Sequence, residues 1–327
     1  MLKKTATALA VSLLALGAHS AELSAGKDTK FEVNVDVGAY YVNKKDKNGL
    51  TEKEFLGKGL NQVEIKASHK LANGTSVFGE IEIDYDPIGD NGTIVTDDVR
   101  LGFSNPAWGR FSVGQFDSFL EDNVMEVLAV HRGEWAGLTE PASDNDGRKI
   151  QYSHKIGDLA FAADVTFSTN GNNKSDSDNG VSLAASYQLG NLTLAAGHSE
   201  INRFKSNLDA SKSEDYTANK VKSSTGLAAI YKIGNAKLMG LYATQKAPTT
   251  NLKTDFTGAG FTYAMGDVNL GFSTQQVKED TKAKRNEWQA SVGYNLYKGM
   301  EIYLDLNGLD KAKDEGNAVE FGIKYSF

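Results

Sequence analysis

The sequence predicts an all-β fold, a 16-stranded antiparallel transmembrane β-barrel. Apolar and polar residues alternate in one segment after another, and the breaks between segments alternate between tight and long. The amino terminus adds a third observation, an export signal, which places those segments beyond the cytoplasmic membrane.

Residues 1–20 read as that signal. Lys3 and Lys4 form a positive start, Ala6 to Gly17 a short apolar stretch, and Ala18-His19-Ser20-Ala21 offers small residues for cleavage after Ser20 or Ala21. The apolar stretch is too short to cross a bilayer as a helix. The expected division is therefore a signal peptide at 1–20 and one barrel domain at 21–327. The chain has 33 glycines, 4 prolines and no cysteine, so an exported protein of this composition is held by a large hydrogen-bonded framework rather than disulfides. No later apolar run approaches the length of a membrane helix. The formal charge is −7, and loss of Lys3 and Lys4 makes it more negative, which argues against nucleic acid as a partner.

A strand shows a side-chain period of two, and that period recurs. Phe31, Val33, Val35, Val37, Ala39 and Tyr41 share one parity against Glu32, Asn34, Asp36 and Gly38. Val63, Ile65 and Ala67 oppose Glu64, Lys66 and Ser68; Trp288, Ala290, Val292 and Tyr294 oppose Gln289, Ser291 and Gly293. At the carboxyl end Val319, Phe321, Ile323, Tyr325 and Phe327 oppose Glu320, Gly322, Lys324 and Ser326. Tight turns fall at Ala72-Asn73-Gly74, Asn105-Pro106-Ala107, Ile156-Gly157-Asp158, Gly190-Asn191, Gly234-Asn235, Gly266-Asp267 and Lys298-Gly299. Long polar segments fall near 43–59, 86–97, 119–147, 169–179, 200–222, 246–254, 278–285 and 309–316. The strands between them are expected at 30–42, 60–71, 75–85, 96–104, 108–118, 148–155, 158–168, 180–189, 191–199, 223–233, 235–245, 255–265, 267–277, 286–297, 300–308 and 317–327. An even strand number with short turns at one end and long loops at the other describes an outer-membrane barrel, whose closure satisfies every strand edge in lipid. Its inner face carries charge, so water fills it, and sixteen strands enclose an aqueous channel. Trp108, Tyr187, Tyr231, Tyr263, Tyr297, Tyr325 and Phe327 fit interfacial girdles. Ile230, Met239 and Leu241 break the pattern by falling on the polar parity, which means either a register slip or a less polar wall.

Three stretches carry a family likeness: Trp108-Gly109-Arg110-Phe111-Ser112-Val113-Gly114-Gln115 before a long loop, Lys149-Ile150-Gln151-Tyr152, and the closing Tyr325-Ser326-Phe327. In their order and spacing the chain resembles the general, non-specific trimeric porins of Gram-negative bacteria over nearly its whole length. The resemblance implies passive diffusion of small hydrophilic solutes and ions, a homotrimer, short periplasmic turns, long extracellular loops and a third loop folded into the pore. That loop corresponds to 119–147, which is long for a plain connection. Its acidic candidates for the constriction are Glu121, Asp122, Glu126 and Glu134, with Glu140, Asp144 and Asp146 beyond them and Arg132 as the one base. The basic wall implied to face it is Lys66, Arg100, Arg110 and Lys149. Opposed rows of this kind set a transverse field that orients polar solutes. Where the family commonly has Arg or Lys, this chain has Gln115, and the inward acids Glu32, Asp36, Glu64, Glu80, Glu82, Asp84 and Asp98 outnumber the bases. A mild cation preference is the expectation.

Other chemistries find little support. His198-Ser199 lacks an orienting partner and is followed by Glu200. His69, His131, His154 and His198 show no zinc spacing. The acidic stretches 86–90 and 144–147 do not continue into a calcium loop, and no phosphate-binding glycine loop opens a helix. The chain is expected to be no enzyme and to need no cofactor. Outer-membrane lipid and lipopolysaccharide, sister subunits, and solutes and ions are its expected partners. The alternatives are a solute-selective channel, or a surface barrel for adhesion or phage attachment through the loop at 200–222.

Overall fold

A computed structural model describes residues 21–24, 28–46, 48–57, 60–85, 94–142, 148–167, 180–201, 221–247 and 252–327. The expected signal, 1–20, lies outside them, as do most of the loops expected at 86–97, 169–179 and 200–222. The strands are β1 (Ala21–Ser24), β2 (Thr29–Lys45), β3 (Thr51–Leu56), β4 (Gln62–Lys70), β5 (Ser76–Tyr85), β6 (Ile94–Asn105), β7 (Gly109–Gln115), β8 (Arg148–Ile156) and β9 (Leu159–Phe167). There follow β10 (Gly180–Leu189), β11 (Leu192–Ile201), β12 (Ser223–Ile233), β13 (Ala236–Lys246), β14 (Lys253–Met265), β15 (Val268–Glu279), β16 (Arg285–Tyr297), β17 (Met300–Gly308) and β18 (Ala318–Ser326).

From β4 to β18 each strand pairs antiparallel with the next, and β2 takes β4 on one edge and β18 on the other. The sheet therefore closes on itself. Eighteen segments make sixteen crossings, because β3 continues the line of β4 and β1 runs beside the start of β2. At the seam the Phe327 N–H donates to the Val35 carbonyl (2.9 Å) and the Val35 N–H to the Phe327 carbonyl (2.7 Å). The terminal residue thus ties the ring shut.

The sixteen expected strands are all present. One segment expected as loop differs: β2 runs on to Lys45 and β3 climbs back beside it, with Lys45 opposite Thr51. Alternation persists there, but lysines and glutamates occupy both parities, so the hairpin carried no apolar signal to read.

Parity separates lipid from lumen. Leu183 (59% exposed), Leu227 (55%) and Phe321 (54%) point outward, an exposure that suits an apolar surrounding rather than water. The expected girdle residues Trp108, Tyr187, Tyr231, Tyr263 and Tyr297 stand exposed at the short-turn end, and the Tyr325 and Phe327 rings lie 5.2 Å apart. Inward positions carry serine, glutamine, glutamate and aspartate, among them Ser182, Ser273, Gln289 and Asp305.

An apolar core sits inside this polar lumen. Leu120, Val124, Met125, Leu128 and Val130 of the loop after β7 are buried against Ala184, Ala228, Met239, Leu241 and Phe256, with Ile230 packed alongside. This resolves the irregularity at Ile230, Met239 and Leu241. The register is regular, Ile230 opposite Met239 and Ala228 opposite Leu241, and the wall is apolar because the loop covers it. Each fully buried side chain of this size contributes about 2 kcal/mol.

The face assignment is testable. Leu227→Lys places a charge in the lipid band and is expected to cost about 2–4 kcal/mol, whereas lysine at the inward Ser186 is expected to cost well under half of that. Urea unfolding of both variants in lipid vesicles measures the difference.

Candidate pore constriction

The loop from Phe116 to Ala142 lies within the barrel as a long hairpin. It leaves β7, passes through a single π-helical turn at Glu121–Met125, and follows the inner wall. Leu120 reaches Gly197 on β11, Val124 reaches Gly226 on β12, Leu128 reaches Gly258 on β14 and Val130 reaches Gly271 on β15. A Cβ at Gly226 would stand 2.6 Å from Val124 Cγ1, so the missing side chain is what lets the loop lie this close. Polar ties run alongside, since the Leu128 carbonyl accepts from Ser273 Oγ (2.8 Å) and Gln289 Nε2 (2.6 Å).

Carboxylates on β17 and β18 hold the tip. Asp305 accepts the backbone N–H groups of Arg132 (2.6 Å) and Gly133 (2.8 Å). Glu320 accepts those of Glu134 (3.1 Å) and Trp135 (2.9 Å), and also the Tyr303 hydroxyl (2.7 Å). Arg132 pairs with Glu301 (2.7 Å), and the Trp135 indole donates to the Tyr40 hydroxyl (2.9 Å). On the return limb Thr139 donates through its N–H (2.9 Å) and its hydroxyl (2.8 Å) to Glu287, and Ala142 through its N–H to Gln245 (3.0 Å). Charge-assisted bonds of this kind are roughly twice as strong as neutral ones.

The basic residues lie on the wall that the hairpin leaves open. Register places them along one rung: Glu32 opposite Lys66, Lys66 opposite Glu80, Glu80 opposite Arg100, Arg100 opposite Gly114, and Gly114 opposite Lys149. Arg110 stands below. Glu80 is shared between Arg110 (2.9 Å) and Arg100 (3.7 Å), and Lys66 pairs with Glu64 (2.5 Å). Lys149 is buried, with its ammonium 5.5 Å from the Phe116 ring.

Of the acidic candidates, Asp122 meets this rung. It presents its carboxylate to the lumen within electrostatic reach of Arg100 and Lys149. Restricted hydration inside the barrel raises its pKa, and the two cations act against that rise. Glu121 and Glu126 are half-buried beside it on the loop. Glu134 is exposed at the tip, on the far side at β18, so the four acids form no single row.

Gln115 falls on the opposite parity from Gly114, and its amide donates to the Asp97 carbonyl (3.3 Å). Its lack of charge therefore leaves the rung unchanged. A feature absent from the sequence reading is the convergence of Glu82, Asp84 and Asp97, whose carboxylate oxygens lie within 4.8 Å of one another. The strand pairing shifts between Ile81 and Ile83, and this irregularity brings them together. His198 and Ser199 occupy opposite faces of β11: His198 bonds Thr225 Oγ1 (2.7 Å) outside, and Ser199 is buried within. Neighbours on a strand cannot work as a catalytic pair.

The sequence profile of the Gram-negative porins matches residues 5–314. This chain belongs to the Gram-negative porin family. As a porin it is an outer-membrane channel protein and not an enzyme. A "Monosaccharide porin" from Halomonas sp. and the "Major outer membrane protein" of Halomonas elongata are each 20% identical to it over 372 aligned positions, covering all of both chains. Among solved structures it is similar to Salmonella typhi OmpF in complex with daunomycin (TM-score 0.72, 15% identity, 94% of this chain and 100% of that one). An anion-selective porin from Comamonas acidovorans gives a TM-score of 0.71 at 15% identity, over 92% of this chain and 100% of that one. The trimer form of OmpT from Vibrio cholerae gives 0.67 at 15% identity, with the same coverage. At these identities the likeness is one of fold.

The latch predicts a local effect. Glu320→Ala leaves the Glu134 and Trp135 amides and the Tyr303 hydroxyl without their acceptor, at a cost of about 1–3 kcal/mol. Hydrogen exchange at 132–135 is expected to quicken in this porin while strand amides keep their protection.

Proposed function

We propose that this porin passes small hydrophilic solutes and ions by passive diffusion, with a mild preference for cations, through a gap bounded by Asp122 on the hairpin and by Lys66, Arg100, Arg110 and Lys149 on the wall. The charge balance along that wall carries the reading. Lys66 has Glu64, Arg110 has Glu80, and Glu82, Asp84 and Asp97 stand together in addition. A lumen with carboxylates in excess concentrates cations ahead of the constriction. Glu121, Glu126 and Glu134 add negative charge along the loop. Export by the 1–20 signal, assembly as a homotrimer, and lipid with lipopolysaccharide around the assembly complete the proposal. Family membership and the trimer form of the Vibrio cholerae relative support the trimer.

A saccharide preference is the second reading. It draws on Trp135, 38% exposed at the loop tip, and on the relative named a monosaccharide porin. Tyr40, Tyr303 and Phe78 are buried, so they form no aromatic row along the lumen.

Planar-bilayer recording in a potassium chloride gradient tests the main reading. The reversal potential is expected on the cation-selective side and to move toward zero in Asp122→Asn. Because the Asp122 pKa is raised, acidification neutralises it before ordinary carboxylates, whose midpoint is about 3.9. The difference in reversal potential between the wild type and Asp122→Asn is therefore expected to shrink on acidification, starting above that midpoint. A clear anion preference at neutral pH would contradict the proposal. Liposome swelling with sugars of increasing size separates a general pore from a saccharide-selective one.

A further inference from the structure

Resting on the pore reading above, we propose that Phe116 is a specificity-determining positioning residue, whose ring holds the Arg100 guanidinium toward the gap with its charge only partly cancelled. The centre of that guanidinium lies 3.8 Å from the centroid of the Phe116 ring. Arg100 Nε is buried without a hydrogen-bond partner, so the ring against the guanidinium is a principal contact holding it in place. Glu80 approaches Arg100 to 3.7 Å but Arg110 to 2.9 Å, and with Arg110 it also forms a hydrogen bond. The shared carboxylate is therefore spent mainly on Arg110, itself stacked 3.7 Å over Phe78. Asp98 and Asp122 attract Arg100 from further off, whereas a second carboxylate in direct contact would fix it equally well and would neutralise it. An aromatic ring fixes a planar guanidinium and leaves its net charge in place.

The backbone makes room for this ring. Gly114 is the side-chain gap in the rung between Arg100 and Lys149, and Phe116, fully buried two residues later, is near both neighbours of that gap. Phe116 also opens the hairpin, so the positive side of the gap and the loop carrying Asp122 share one support.

Reversal potentials of the full-length protein in bilayers test this. Arg100→Gln measures the full contribution of the charge and is expected to increase cation selectivity. Phe116→Leu, which keeps an apolar filler and removes the π-face, is expected to shift in the same direction by at least half as much, while Phe116→Trp keeps the wild-type value. Arg100→Lys leaves the buried ring in place and retains the charge without planar stacking. It is expected to shift part of the way, and it decides the matter if Phe116→Leu fails to assemble. Wild-type reversal potentials in both Phe116→Leu and Arg100→Lys, alongside a shifted Arg100→Gln, would overturn the inference and leave the pore reading standing. A wild-type protein that opens no channel would overturn both.

Discussion

Closure of the hydrogen-bonded ladder is the constraint on which everything else in this molecule rests. A strand edge left open in hydrocarbon would cost several kcal/mol for each unpaired group. The pairing of β18 with β2, and the two hydrogen bonds between Phe327 and Val35, remove that edge. Once the ring is shut, the period of two does the remaining sorting. Outward positions present an apolar face, inward positions meet water or the hairpin, and charge is admitted inside because it need not be buried in a packed centre.

The hairpin then faces an opposite problem, since a segment inside a wet lumen has no general reason to stay against the wall. It is retained by two kinds of contact in sequence along its length. The ascending limb lies on an apolar track over β10 to β15, and the tip is caught by Asp305 and Glu320. Neither suffices alone. The apolar side chains would not fix the depth of the tip, and the carboxylates would not keep the limb from filling the gap. Their combination leaves β4 to β8 as the uncovered wall, where the charged rung lies.

Strand number, faces and turn positions were legible because alternation and glycine-bearing turns are local signals. The β2–β3 hairpin was not, since its residues are charged on both parities. The anomaly at Ile230, Met239 and Leu241 was visible as a break in pattern, but its meaning depended on a segment a hundred residues away. The basic wall came from the family resemblance, with parity choosing its candidates. Lys66, Arg100 and Lys149 do share a rung with Glu80, whereas only Asp122 of the four acidic candidates meets it. Asp305, Glu320 and Tyr303 escaped notice as anchors because an inward acid on a late strand looks like any solvated lumen residue. Gly322, opposite Tyr303, leaves room for its ring, but that opposition comes from the strand register. The meeting of Glu82, Asp84 and Asp97 depends on a pairing irregularity that no periodicity announces.

The tip is gripped through main-chain amides, a group that every residue except proline supplies. Glu134, whose side chain is exposed, can therefore exchange it with little penalty to the grip, since Glu320 binds its peptide N–H and not the residue, whereas Gly133 admits no side chain because a Cβ there would meet the Glu320 carboxylate. Selection on what passes through the channel can act at Glu134 while the aperture keeps its outline. Lineages of such channels are free to change their filters without rebuilding the frame.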